Sequence, residues 1–169
     1  MRLFLRIATL LCFVLFACLT AHAQQYLKSN EKLVMSFNTA NGKRMVLAVD
    51  TANKYLVYRY GTRKRVELEY PADMDNSFKK LRLFHYMRGG GVQNDAEDLK
   101  QLQFTINGVT YKLYDNWYAV GNRSECGIVI PGTRMAHTVT IKAIARTKKG
   151  GLESLIDNEA IPSANEDDK

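Results

Sequence analysis

Outside the first 23 residues, the side chains that invite a test for proton transfer, metal binding or nucleophilic attack are His85, His137, the lone Cys126, and the neighbouring carboxylates Asp73/Asp75 and Asp95/Glu97/Asp98. Zinc needs closely spaced cysteines and histidines, and no such spacing occurs. His85 shares strand parity with Leu81, Leu83 and Met87, so it reads as a core or edge histidine, while His137 opens a strand and is expected to be exposed. Cys126 lies in the apolar run "CGIVI" with no histidine near it in sequence, the setting of a buried small hydrophobe rather than an activated thiol. Paired carboxylates hydrolyse glycosides only when held across a cleft, and both acidic groups read as solvated loops. The second lacks the ligand order of a calcium-binding EF-hand. Gly89–Gly91 lacks the strand and helix context of a nucleotide loop and reads as a turn. The residues therefore predict no cofactor, no metal and no catalytic centre.

Binding chemistry is better represented. Trp117 and Tyr118 stand beside Asp115, Asn116 and Arg123 in "DNWYAVGNR", which reads as a loop. Aromatic rings near amide and guanidinium groups suit sugar or protein surfaces, and they also serve as loop anchors. A second candidate is the basic turn Arg63-Lys64-Arg65. Tyr58, Tyr60, Tyr70, Tyr111 and Tyr114 fall within strands and are expected in or beside the core.

The elements that must position these residues have a period of two almost throughout. Glu31–Asn38 and Arg44–Asp50 flank Asn41-Gly42 as a first hairpin. In "YLVYRYGTRKRVELEY", opposing Tyr58 to Leu68 puts Leu56, Tyr58, Tyr60, Val66, Leu68 and Tyr70 on one face. That register sets Arg59 against Glu67, with Gly61–Arg65 as the loop. It makes Arg59–Glu67 an exposed structural ion pair worth about 0.2–1 kcal/mol. Pro71–Ser77 reads as a loop, Phe78–Met87 as a strand and Val92–Asp98 as an exposed loop. Asn107-Gly108 then pairs Ile106 with Val109, Phe104 with Tyr111 and Leu102 with Leu113. Ile128–Ile130 and His137–Ala145 follow as strands, and Leu152–Ala160 as a short helix or final strand. The fold class is all-β: a single antiparallel β-sandwich or small β-barrel with a short C-terminal helix or extra strand.

The N-terminus has Arg2 and Arg6, an apolar run from Ile7 to Leu19, and Ala21-His22-Ala23. This is the pattern of a signal peptide over residues 1–23, cleaved after Ala23. The apolar run is too short for a membrane span of about 20 residues. Lipoprotein processing at Cys18 is the alternative, and the only route to membrane contact. Residues 24–162 then form one β domain, and 163–169, "SANEDDK", an acidic disordered tail. Removing Arg2 and Arg6 from 24 basic residues leaves 22 against 17 acidic ones, a net charge of +5. An exported chain of this charge does not point to nucleic acid as partner. An envelope glycan or a protein fits better, in the periplasm or outside the cell. With only Cys126 left after cleavage, no internal disulfide can form.

The stretches Tyr55–Gly61, Glu67–Pro71 and Phe104–Tyr111 resemble small exported bacterial proteins of unassigned function. Those carry a Tyr-Leu-x-Tyr-Arg-Phe/Tyr-Gly strand, a Glu-Leu-x-aromatic-Pro strand and a later hairpin. The likeness covers about Met45–Ile130 and implies export and a β fold, without an activity. Relatives often place a cysteine in the strand before the first motif, and here "RMVLAVD" has none. The reading that results is an exported, non-enzymatic binding module for a cell-envelope component or a protein. Its alternatives are a periplasmic inhibitor of a lysozyme-like enzyme and a hydrolase of envelope polymers. The hydrolase would need two carboxylates, or His85 and an acid, to converge.

Overall fold

The computed structural model describes residues 26–92, 94–132 and 137–164. The expected leader, 1–23, and residues 165–169 of the tail lie outside the described residues. Among the described residues, ten strands form two five-stranded antiparallel sheets stacked as a β-sandwich and not closed into a barrel. The first sheet runs β1 (Glu31–Asn38), β2 (Lys43–Asp50), β3 (Leu56–Thr62) and β4 (Arg65–Tyr70) as a meander. The two-residue β10 (Lys149–Gly150) lies along the free side of β1. The second sheet is the meander β5 (Arg82–Arg88), β6 (Glu97–Ile106), β7 (Val109–Tyr118), β8 (Arg123–Ile130) and β9 (Val139–Lys142). No helix among the described residues is long and apolar enough to cross a membrane.

The core forms where the alternating apolar faces meet. Met35, Leu47 and Tyr58 from the first sheet pack with Leu102, Leu113 and Ile128 from the second, and Leu81, Leu152 and Ile161 close the sides. Phe104 joins the layers: its ring centroid is 4.8 Å from that of Tyr58, 4.7 Å from Tyr70 and 5.4 Å from Tyr111. Tyr60, Tyr70 and Tyr111 pack against this core, whereas Tyr114, on the opposite parity to Leu113, is buried on the outer face of the second sheet.

The Asn107-Gly108 hairpin has the expected pairing, and both turn residues take positive φ, 50° and 79°, as a type I′ turn requires. Two β-bulges alter the first sheet. Between Leu33 and Met35 the register with β2 shifts, leaving Val34 extra. Met35 and Phe37 then face the core, while Leu33 and Glu31, of the same parity, turn to the outer face. Between Tyr60 and Gly61 the register with β4 shifts, leaving Glu67 extra. A side chain at Gly61 would meet the Arg65 carbonyl at 2.3 Å and the Glu67 amide at 2.6 Å, so the bulge needs glycine there.

Several expected boundaries move. Ser77–Lys80 is a 3-10 turn and the strand begins at Arg82. Glu97 and Asp98 belong to β6, and Asp115–Tyr118 to β7, where loops were expected. In place of a C-terminal helix there is a single 3-10 turn, Leu152–Leu155, and the extra strand is β10 before it. The start of the expected tail is not frayed: Leu83 donates its N–H to the Pro162 carbonyl and accepts from Ala164, both at 2.9 Å.

Candidate functional site

The outer face of the first sheet carries the largest correction. Arg59 opposes Glu69, not Glu67, because the bulge moves β4 along β3. Arg59 is fully buried, at 0% exposure, rather than exposed. Its Nη1 and Nη2 donate to the two oxygens of Glu31 at 2.6 and 2.8 Å, its Nε to Glu69 at 2.5 Å, and Nη1 also to the Tyr26 carbonyl at 3.0 Å. Glu67 instead pairs with Lys43. Glu31 also accepts from the Lys28 N–H at 2.8 Å and the Tyr55 hydroxyl at 3.0 Å. Burial pushes the Glu31 carboxyl up, but Arg59, the Lys28 amide and Tyr55 outweigh it and hold it below the usual range. Tyr26, Val46, Ala48, Val57 and Val66 form a small apolar cluster beside this network. Every strong group here serves another, and the chemistry is structural.

At one end of the second sheet a charged layer lies on the inner face. The longest strands of the first sheet have eight residues and β6 and β7 have ten, so at about 3.4 Å per residue they run about 7 Å further. His85 meets Asp98 there at 3.0 Å, so a histidine and an acid do converge, and His85 is exposed on the edge strand β5, the edge rather than the core of the two places expected. The other Asp98 oxygen takes Lys100 Nζ at 2.5 Å, and Lys100, only 2% exposed, also reaches Glu153 at 3.5 Å. Burial raises the Asp98 carboxyl, yet Lys100 and His85 outweigh it and leave it lowered. Asp115 is held by Lys148 at 2.6 Å and by the Leu152 N–H at 3.1 Å. Cys126, opposite Asp115 on β8, is buried, and that burial pushes its thiol up to about 11, the reverse of an activated nucleophile. No hydroxyl or thiol hydrogen-bonds His85 among the described residues. No group of three or more metal-ligating side chains occurs among them either.

The same end of the sheet gathers the aromatic residues singled out in the sequence. Trp117 and Tyr118 end β7 and Arg123 begins β8, so they sit on strands, not in a loop. The Arg123 guanidinium lies 4.8 Å from the Tyr118 ring centroid and reaches Glu125 at 3.4 Å, while Trp117 Nε1 donates to Asn122 at 2.9 Å. The neighbouring loop joins them: the Ala119 N–H donates to the Ala96 carbonyl at 2.9 Å, and Met87, Asp98 and Trp117 share one cross-strand row. Among the described residues, four of the seven exposed large hydrophobic residues lie at this end: Met87 at 72%, Val120 at 63%, Tyr86 at 37%, and Val92, fully exposed. Periodicity did not gather them: Met87 shares the inward parity of Leu83, Tyr86 lies on the outer face with Phe84, and Val92 and Val120 lie outside the strands. Arg63 and Lys64 form the exposed β3–β4 turn and Arg65 starts β4, all on the other sheet, so the structure does not join them to Trp117. His137 is exposed.

The clefts among the described residues include one of about 530 Å³ beside Asn53, Phe78 and Asp157. One of about 560 Å³ crosses the outer face of the second sheet over Phe84, Gln101, Tyr114 and Asn116. One of about 250 Å³ lies beside Tyr114, Cys126 and Lys142. One of about 280 Å³ lies among Tyr70, Lys79, Lys80, Arg82 and Thr105. Comparison with protein families, with curated proteins and with solved structures finds no match to this chain. The resemblance of Tyr55–Gly61 and Glu67–Pro71 to small exported proteins therefore rests on those motifs alone.

Proposed function

We propose that this protein is an exported, non-enzymatic binding module that docks a protein partner through the loop end of its second sheet. The observation that carries this reading is the concentration of Met87, Val92, Val120 and Tyr86 at that end, beside Trp117 and Tyr118. Exposed apolar side chains gathered in one region, with aromatic and arginine neighbours, are what protein interfaces use at their centre. Arg88–Glu97 and Arg123–Glu125 supply the charged rim such surfaces have. The charged layer at His85 supports the non-enzymatic half of the reading: both Asp98 and Asp115 are tied to lysines, and the one thiol nearby is protonated at neutral pH.

A narrower form of the reading is inhibition of a lysozyme-like enzyme, which the exposed apolar residues Val92 and Val120 also suit. The test compares the protein as its host processes it with the double variant Met87→Asp/Val120→Asp. The wild type is expected to retain a partner from its own culture medium and envelope fraction that the folded variant loses. Retention of the same partners by both proteins overturns the assignment to this end. A lysozyme inhibition assay on the same pair separates the inhibitor from the general docking module.

A further inference from the structure

We infer that the cleft across the outer face of the second sheet is a saccharide-binding site, oriented by the side-chain amide of Gln101. The register places Phe84, Gln101 and Tyr114 in one cross-strand row, with Leu99 and Asn116 toward the loop end and Lys112 on the other side. These side chains line about 560 Å³, within the range of small-ligand sites. Gln101 Oε1 is buried there and has no hydrogen-bond partner, and no other bond from this amide occurs among the described residues. A folded protein rarely leaves a buried acceptor unmet, and one lining a cleft takes its donor from water or from a bound ligand.

The rest of the cleft narrows what that ligand is. Tyr114 lies over Gly127 of the next strand, where a Cβ would come within 2.8 Å of its hydroxyl and 2.9 Å of its ring; the missing side chain lets the ring lie across β8. The walls are therefore aromatic and aliphatic at Tyr114, Phe84, Leu99 and Val129, and the polar groups among them are the Gln101 and Asn116 amides, the Thr138 hydroxyl and Lys112, which is engaged within the fold. A hydrocarbon ligand would leave Oε1 unsatisfied. Extended peptides dock on sheet edges, where backbone groups are unpaired, whereas this cleft crosses the face of strands already paired to one another. A neutral oligosaccharide supplies both requirements: hydroxyls that donate to Oε1 and accept from Nε2, and C–H faces that rest on rings.

The test is titration of the host-processed, isotope-labelled protein with tri-N-acetylglucosamine, cellotriose and maltotriose, followed by nuclear magnetic resonance. At least one trisaccharide is expected to shift the Gln101 side-chain amide and the Tyr114 backbone signals. Gln101→Leu, with its spectrum otherwise intact, is expected to weaken that binding about tenfold. The Met87→Asp/Val120→Asp protein is expected to bind the sugar as the wild type does, which separates this site from the docking end. The inference is overturned if none of the three sugars moves the Gln101 signals at millimolar concentration, or if Gln101→Leu binds as tightly as the wild type.

Discussion

The outer faces of the two sheets carry similar residue types and put them to opposite uses. On the first, Arg59, Glu31, Glu69, Tyr55 and the Lys28 amide satisfy one another, with Tyr26 laid against Arg44 and hydrogen-bonded to Thr62. On the second, Gln101 keeps an unmet acceptor inside a cleft, and the loop end leaves large apolar residues in solvent. The difference lies in closure. A polar group whose partners come from its own chain stabilises the fold; one whose partners are missing costs stability unless something else binds. Polarity on a sheet's outer face therefore says nothing of function until its hydrogen bonds are traced.

The sharpest way to break that comparison is Arg59→Met. Removing one member of a buried ion pair strands Glu31, so a loss of about 3–5 kcal/mol is expected in urea denaturation. The double variant Arg59→Met/Glu31→Leu should lie closer to the wild type than the single one. A loss below about 1 kcal/mol would mean that the first sheet's network is not closed in solution. Acid should act on the same network. Because the Glu31 carboxyl is held below its unfolded range, its contribution is fully present above about pH 4.3 and disappears as pH falls through the lower folded value. Glu31→Gln should be less stable than the wild type at pH 7 and show a flatter acid limb, measured by melting temperature against pH. The smallest effect belongs to the second sheet. Gln101→Leu removes an acceptor that bonds nothing, so it should be neutral or stabilising by up to about 1 kcal/mol. A loss above that would show that Gln101 is structural, and the contrast between the faces would fail.

How far the sequence shows these regions varies with the kind of signal. Asn107-Gly108 imposes its own register, because an Asn-Gly turn with apolar residues alternating on both sides leaves one pairing that keeps a face apolar. Arg59 was legible as a cross-strand partner of a glutamate, but the choice of glutamate was not. An extra residue at Glu67 and another at Val34 switch faces without any local mark beyond Gly61. Glu31 reads as a core-parity residue until the Val34 bulge turns it outward to Arg59. Trp117, Tyr118 and Arg123 were legible as a binding candidate, yet Met87, Tyr86, Val92 and Val120 were not. They lie on one inward position, one outward position and two connecting segments, so no single alternation pattern groups them with Trp117.

Alternation and turn residues were enough to dictate paired strands in an all-β chain, because these act over a few neighbouring residues. Tertiary pairing decided the rest. Which polar groups find partners depends on bulges that switch faces at Val34 and Glu67, and where a cleft opens depends on which side chains the register brings into one row; both are set by pairing between strands distant in the chain.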